Sequence, residues 1–291
     1  MANFSRRVPE NVPGEFFVDA TCIDCGICRQ LAPAIFSEAN VYSFVSAQPR
    51  TAEETGRALR ALLSCPTGSI GTRHRNDAKS VMADFPLPLE EGVFYCGFNS
   101  PKSYGGKSYF VQHPQGNWLI DSPKFLPQLV ARLEEQGGIS HIFLTHRDDV
   151  AEAEAYAQRF GAARIIHRED SAAQPNAEIV LKGVEPVQLA PEFLVIPTPG
   201  HTQGHCVLLH KSRFLFTGDH LWWNPSEQRL GASRDYCWYS WAKQTESMIR
   251  LLEFDFEWVL PGHGQWVHQP ASSLRKQLKA LVDRMRANSD S

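Results

Sequence analysis

The chain has 291 residues, 43% hydrophobic and 21% charged, the balance of a folded protein with room for about two domains at roughly 150 residues each. Its net charge of −3 provides no global basic field for nucleic acid or an anionic membrane. No stretch reaches the roughly 18 apolar residues of a membrane span, Met1–Glu10 lacks the apolar core of a secretory signal, and seven cysteines fit a reducing, cytoplasmic setting rather than a disulfide scaffold.

Glu15–Asp19 and Val41–Val45 read as short strands. Thr51-Ala-Glu-Glu54 is a capping-box pattern that opens a helix through Leu63 and delivers Cys65-Pro66. The polar run Thr72–Ser80, followed by Phe85-Pro-Leu-Pro88, reads as a linker. It places a boundary near residue 82 and divides the chain into domains 1–82 and 83–291. Beyond it come strand-like runs at Gly92–Tyr95, Ser108–Gln112, Asn117–Ile120, Ile142–Thr145, Arg164–Ile166, Phe193–Pro197, Cys206–Leu209, Phe214–Thr217 and Trp258–Leu260. Helical runs fall at Phe125–Glu135, Asp149–Phe160, Trp241–Leu252 and Ser272–Met285. Early hairpins followed by strand–helix alternation predict an α+β protein with sheets covered by helices.

Cys22, Cys25 and Cys28 form C-x2-C-x2-C, with Cys65-Pro66 far downstream. Thiolates so spaced wrap three corners of an iron–sulfur cube, and Gly26 lets the backbone approach the sulfides. Cys65 is the one candidate in this domain for the fourth corner, and Cys25 favours one [4Fe–4S] cluster over a three-iron form. A zinc knuckle or a set of buried thiols is the competing reading. The run resembles a bacterial-type ferredoxin, with Ala32 standing where the family's next cysteine would ligate a second cluster. The resemblance therefore implies a single-cluster ferredoxin-like domain.

Four later segments each put an imidazole or carboxylate just past an apolar run: Thr145-His146-Arg147-Asp148-Asp149, Pro199-Gly-His201-Thr-Gln-Gly-His205, Thr217-Gly-Asp219-His220 and Pro261-Gly-His263. Neutral imidazoles and ionised carboxylates gathered at strand ends make a divalent-metal site. Their order resembles the metallo-β-lactamase fold, an αββα sandwich, over roughly residues 88–270. His201 matches its PGHT histidine, Asp219 its bridging aspartate and His263 its last histidine.

The family's first motif, T-H-x-H-x-D-H, is broken here. His146 is kept, Asp148 replaces the second histidine, and Val150 and Ala151 stand where the aspartate and last histidine belong. The resemblance thus implies one metal at His146, Asp148, His201 and Asp219, with His263 left at the depleted second position. A carboxylate at Asp148 favours iron or manganese, although zinc also accepts one. Asp149 is an alternative ligand or a base for water.

His205 and His220 read as structural, the latter as a hydrogen-bonded turn histidine; His167 either reaches the pocket or does not. Cys237, within Tyr236-Cys-Trp-Tyr-Ser-Trp241, reads as a buried thiol. Ser100–Gly106 reads as a hairpin loop, either plain or folded over substrate. On the last helix Leu274, Leu278, Leu281 and Met285 form a core stripe. Function divides three ways: a cluster passing electrons to a mononuclear metal or substrate site, a single-metal ester or thioester hydrolase, or a non-catalytic redox sensor. The expected partners are a small-molecule substrate and an electron-donor protein, with neither nucleic acid nor membrane.

Overall fold

The computed structural model describes residues 2–74 and 78–287, so residues 75–77 of the expected linker lie outside the described residues. Two compact units divide the chain, Met1–Ile139 and Ser140–Ser291.

The first unit opens with β1 (Phe16–Val18), the short helix α1 (Ile27–Leu31), β2 (Phe36–Ala39), β3 (Tyr42–Val45), α2 (Ala52–Ser64) and β4 (Ile70–Thr72). β1 pairs antiparallel with β4, and β2 with β3. Helix α2 starts where the capping pattern predicts, with the Thr51 hydroxyl accepting from the Glu54 amide at 3.1 Å. The Glu54 carboxylate returns to the amide of Arg50, one residue earlier than a capping box requires. The buried Ala58, Leu59 and Ala61 of this helix pack into a core with Val8, Phe16, Val18, Ile35, Phe36 and Val45. β5 (Leu87–Glu90), β6 (Val93–Tyr95), β7 (Tyr109–Val111) and β8 (Trp118–Ile120) then form an antiparallel meander, followed by α3 (Pro127–Glu135).

The second unit begins with β9 (His141–Phe143), α4 (Ala153–Phe160), β10 (Ala163–His167) and β11 (Ile179–Leu181), whose three strands run parallel. The remaining elements are β12 (Val187–Ala190), β13 (Phe193–Pro197), β14 (Cys206–His210), β15 (Phe214–Gly218), β16 (Trp222–Asn224), β17 (Arg229–Gly231), α5 (Trp241–Leu251), β18 (Trp258–Pro261), β19 (Val267–His268) and α6 (Ala271–Ala287). One sheet orders them β12-β13-β14-β15-β18-β19. Its pairs are antiparallel except β15 with β18, where helix α5 supplies the crossover that parallel neighbours need.

Leu274, Leu278, Leu281 and Met285 of α6 are buried as their spacing predicts, against Val207, Leu209, Leu215 and Val259 of the sheet. Each such burial stabilises by roughly 1.5–3 kcal/mol. The class is α+β, as expected. The parallel β15 and β18 also release their next residues, Asp219 and Gly262-His263, side by side.

Candidate metal centres

Cys22, Cys25, Cys28 and Cys65 converge. The sulfurs lie close enough for Cys65 and Cys22 to raise the Cys25 thiol, and for Cys25 and Cys22 to raise that of Cys28. Burial is the larger cause, and it pushes Cys25 up to about 11 and Cys28 to about 12. Gly26, at φ +74°, makes the left-handed turn into α1. Backbone amides point at sulfur: Ser43 N–H at Cys22 (3.5 Å) and Ser69 N–H at Cys65 (3.3 Å). All four are free cysteines. Buried sulfurs this crowded become thiolates only when cations are set among them, and amide donors to sulfur suit that state. The residues fit one [4Fe–4S] cluster.

In the second unit four strand ends meet. His146 follows β9 and begins a 3-10 turn, Arg147–Asp149. His201 lies between β13 and β14, Asp219 follows β15, and His263 follows β18. His146 Nε2 is 3.9 Å from Asp148 Oδ2 and 3.7 Å from Asp219 Oδ2. His201 Nε2 is 3.4 Å from Asp148 Oδ2 and 3.7 Å from Asp219 Oδ2. These are the separations that donors sharing one small divalent ion keep from each other. Asp149, 1% exposed, joins His146 and Asp219 in a second such group. The structure thus brings together His146, Asp148, Asp149, His201 and Asp219.

The electrostatics suit ligation. His146 is fully buried, and burial lowers it to about 4 against the opposing pull of Asp219 and Asp148. Its Nδ1 bonds Thr145 Oγ1 at 2.9 Å, and its Nε2 is buried without a hydrogen-bond partner. His201 donates from Nδ1 to the Tyr236 carbonyl at 2.5 Å, which leaves its Nε2 as an unpartnered lone pair facing the carboxylates. Asp148 is held below the usual carboxylate range by the close approach of His201, whose Nε2 lies 3.4 Å from Oδ2, and by the charge of Arg147. Burial raises Asp219, but His263, His146 and His201 outweigh it and hold the group ionised. Orphaned buried nitrogens facing ionised oxygens are what a cation would satisfy.

His263 does not join the group. Its Nδ1 and its backbone amide both bond Asp219 Oδ1, at 2.7 and 3.2 Å. His205 is buried with Nδ1 on Thr198 Oγ1 (2.9 Å). His220 departs from the expected hydrogen-bonded ring: its backbone amide bonds Thr217, but both ring nitrogens are buried without a partner. His167 is tied to Gly183 O through Nε2 and to the Glu169 amide through Nδ1. Cys237 is half-buried, its thiol on Gly200 O, while Tyr236, Trp238 and Tyr239 beside it are exposed. Ser100–Gly106 packs down on the first unit's cysteines, with Gly105 against Pro66 and Cys25.

Sequence reasoning missed Asp170. Its carboxylate, 1% exposed, accepts from Arg147 N (3.1 Å), Thr202 Oγ1 (2.5 Å) and Gly204 N (3.1 Å). It thereby fastens the loop of His146–Asp149 to the loop of His201. No spacing marks it out; the one hint is a carboxylate just past the strand run that ends at His167.

Residues 18–72 match the family model for the 4Fe-4S single cluster domain of Ferredoxin I, and residues 104–263 that for the metallo-beta-lactamase superfamily. A hydroxyacylglutathione hydrolase of Rhizobium etli is 31% identical over 140 residues, covering 46% of this chain and 52% of the relative, so the chain spans about half of that protein's length. Another, of Rhizobium meliloti, is 31% identical over 183 residues, covering 58% of this chain and 68% of the relative. Among solved structures, the metallo-beta-lactamase FIM-1 from Pseudomonas aeruginosa in its mono-zinc form aligns at TM-score 0.51 and 17% identity, over 68% of this chain and 93% of that one. The DIM-1 metallo-beta-lactamase exposed to ceftazidime aligns at 0.50 and 20%, over 68% and 95%. At such identities the structural likeness speaks to the fold alone.

Proposed function

The chain belongs to the metallo-beta-lactamase superfamily and carries a 4Fe-4S single-cluster ferredoxin domain, and from that membership we propose that it is a mononuclear-metal oxidoreductase supplied with electrons by its own cluster. The observation that carries this reading is the depleted second metal position. Val150 and Ala151 offer no ligand there, and the Nδ1 of His263 is spent on Asp219 at 2.7 Å. What is left is one centre of two imidazoles and two carboxylates, a donor set that suits iron or manganese. A hard divalent ion held there supplies Lewis acidity and one-electron chemistry. His146 stays neutral, and both it and His201 present Nε2; Asp148 and Asp219 supply negative charge; the Thr145 and Tyr236 oxygens fix the imidazole orientations. The partners this requires are an electron-donor protein and a small-molecule substrate.

The test is anaerobic purification with iron, sulfide, manganese and zinc counted in wild type, His146→Ala and Cys25→Ala. Wild type is expected to hold one iron–sulfur cluster plus one further metal, lost in His146→Ala while the cluster stays. A reduced cluster is expected to reoxidise with added oxidant faster in wild type than in His146→Ala. Equal rates across a panel of oxidants would sink the reading.

Hydrolysis of a thioester is the second reading, supported by the hydroxyacylglutathione hydrolases of the two Rhizobium species that the chain resembles. Asp149 would then accept the proton of attacking water. Turnover of acyl-thioesters by the cluster-free Cys25→Ala protein, at the wild-type rate, would favour hydrolysis over redox chemistry.

A further inference from the structure

A lysine with no exposed surface is the least expected member of the first unit. Lys107 is 1% exposed and ranks with the tyrosines and phenylalanines among the largest fully buried side chains. Burying an ammonium costs several kcal/mol unless an anion faces it, and a lysine so placed ordinarily loses its proton.

The cysteines are among its surroundings. The segment that carries Lys107 lies on the cysteines: a Cβ built on Gly105 would stand 2.8 Å from Pro66 Cγ and 3.2 Å from Cys25 Cβ, so only glycine fits. Gly105 is held at φ +88°, and its carbonyl accepts from Asn99 Nδ2 at 2.8 Å. Lys107 in turn favours the thiolate of Cys25. A second lysine reaches the same place, since Lys124 Nζ donates to the Pro66 carbonyl at 3.0 Å and is half-buried beside Cys65. Both lysines belong to the stretch matched by the metallo-beta-lactamase family, not to the ferredoxin match at 18–72.

We propose that Lys107 and Lys124 are internal countercharges of the iron–sulfur cluster and set its reduction potential from outside the ferredoxin domain. Four thiolates leave the cluster assembly net negative, and reduction adds one more electron. A cation beside Cys25 and another beside Cys65 stabilise the reduced state over the oxidised one and raise the potential, because the surrounding low dielectric screens them poorly. Lys107, being buried, has the larger effect; Lys124, partly solvated, the smaller. The proposal rests on the cluster and not on the redox reading of the second unit, and its readout is the cluster's own potential.

The experiment is a redox titration of anaerobically purified full-length holoprotein, with the reduced cluster followed by electron paramagnetic resonance. Wild type is compared with Lys107→Met, Lys107→Arg and Lys124→Met. Methionine keeps the unbranched, apolar bulk of lysine and removes the charge, so a purely packing role leaves the potential unmoved. At the wild-type midpoint the ratio of reduced to oxidised cluster is expected to fall at least ten-fold in Lys107→Met, equivalent to 59 mV for a one-electron couple. It falls by a smaller factor in Lys124→Met and stays near wild type in Lys107→Arg. An unchanged ratio in Lys107→Met, with iron and sulfide content intact, overturns the proposal. If Lys107→Met does not load a cluster, Lys124→Met decides: a fall of two-fold or more supports the proposal, and no fall overturns it. Wild-type protein that holds neither iron nor sulfide overturns it outright.

Discussion

Asp170 touches no ligand atom, yet it accepts hydrogen bonds from Arg147, Thr202 and Gly204 and so ties together the loops that carry His146 and His201. Partners of this kind typically cost about 10–100-fold in metal affinity when removed. Asp170→Ala is therefore expected to weaken metal binding by about that factor, measured by competition with a chelator, while far-ultraviolet circular dichroism stays native. Unchanged affinity would mean the two loops are positioned without it. Gly262 makes a sharper case, because a Cβ there would sit 2.5 Å from Asp149 Oδ2 and 2.9 Å from Asp219 Oδ1. Gly262→Ala is expected to abolish stoichiometric metal binding in a protein that still folds, and a variant that binds metal normally would show that the carboxylates can move aside. The candidate ligand histidines His146 and His201 were legible because each follows an apolar run. Asp170 was not, because its role depends on two loops some 23 and 32 residues away that only folding brings together.

Asp148 and Asp149 are adjacent in sequence, and which of them ligates turns on the local helix type. A helix beginning at Asp149 was expected, but α4 begins at Ala153 and Arg147–Asp149 is a 3-10 turn. With about three residues per turn, successive side chains diverge widely, so both carboxylates reach groups that contain His146. Strands bounded by turn residues and rich in β-branched or aromatic side chains, such as β13 and β15, were read nearly to their ends. β5 was not, because Pro88 within it reads as a breaker; β5 pairs on the side of β6, where an edge strand tolerates proline.

Arg164 shows what a charged residue in a strand run is for. At the start of β10 it donates to Glu178 from Nε (3.1 Å) and Nη2 (2.8 Å), and its amide bonds the same carboxylate at 2.7 Å, so the entry of β11 is fixed beside β10. That bond, with the guanidinium charge, holds Glu178 down to about 2, against an ordinary 4.5. A carboxylate depressed on folding stabilises above its unfolded value and loses that contribution as the pH falls through the folded one. Glu178 is exposed and screened, so Glu178→Gln is expected to cost only about 1 kcal/mol at neutral pH. The difference from wild type is expected to vanish between pH 4.5 and about 2 in urea titrations. A difference that persists at pH 2 would assign it to packing instead.

The two chemistries of the molecule meet the same physical requirement in opposite ways. The cysteine site buries potential anions and surrounds them with lysines and amide donors. The second unit buries neutral bases and faces them with carboxylates. Burial lowers His146 to about 4 and His220 to about 3, so both are neutral when folded at pH 7. In the unfolded chain they titrate near an ordinary 6.5. As pH falls from 6.5 toward 4 the unfolded chain takes up protons that the folded chain refuses, and stability is lost across that window. For the metal-free protein the loss at pH 5 relative to pH 7 is expected to be about 2 kcal/mol for each of the two histidines, read as a lower midpoint in urea. His205 is a third imidazole that burial lowers, so His220→Leu, which keeps a neutral side chain of comparable bulk, is expected to remove about a third of the pH-dependent loss. Metal present at one hundred times its dissociation constant adds about 2.7 kcal/mol at pH 7 by mass action, and less at pH 5, where protons compete for the same imidazole nitrogens. A metal-free protein equally stable at both pH values would show that water reaches these imidazoles, and that the neutral, ligand-ready state of His146 is not imposed by the fold.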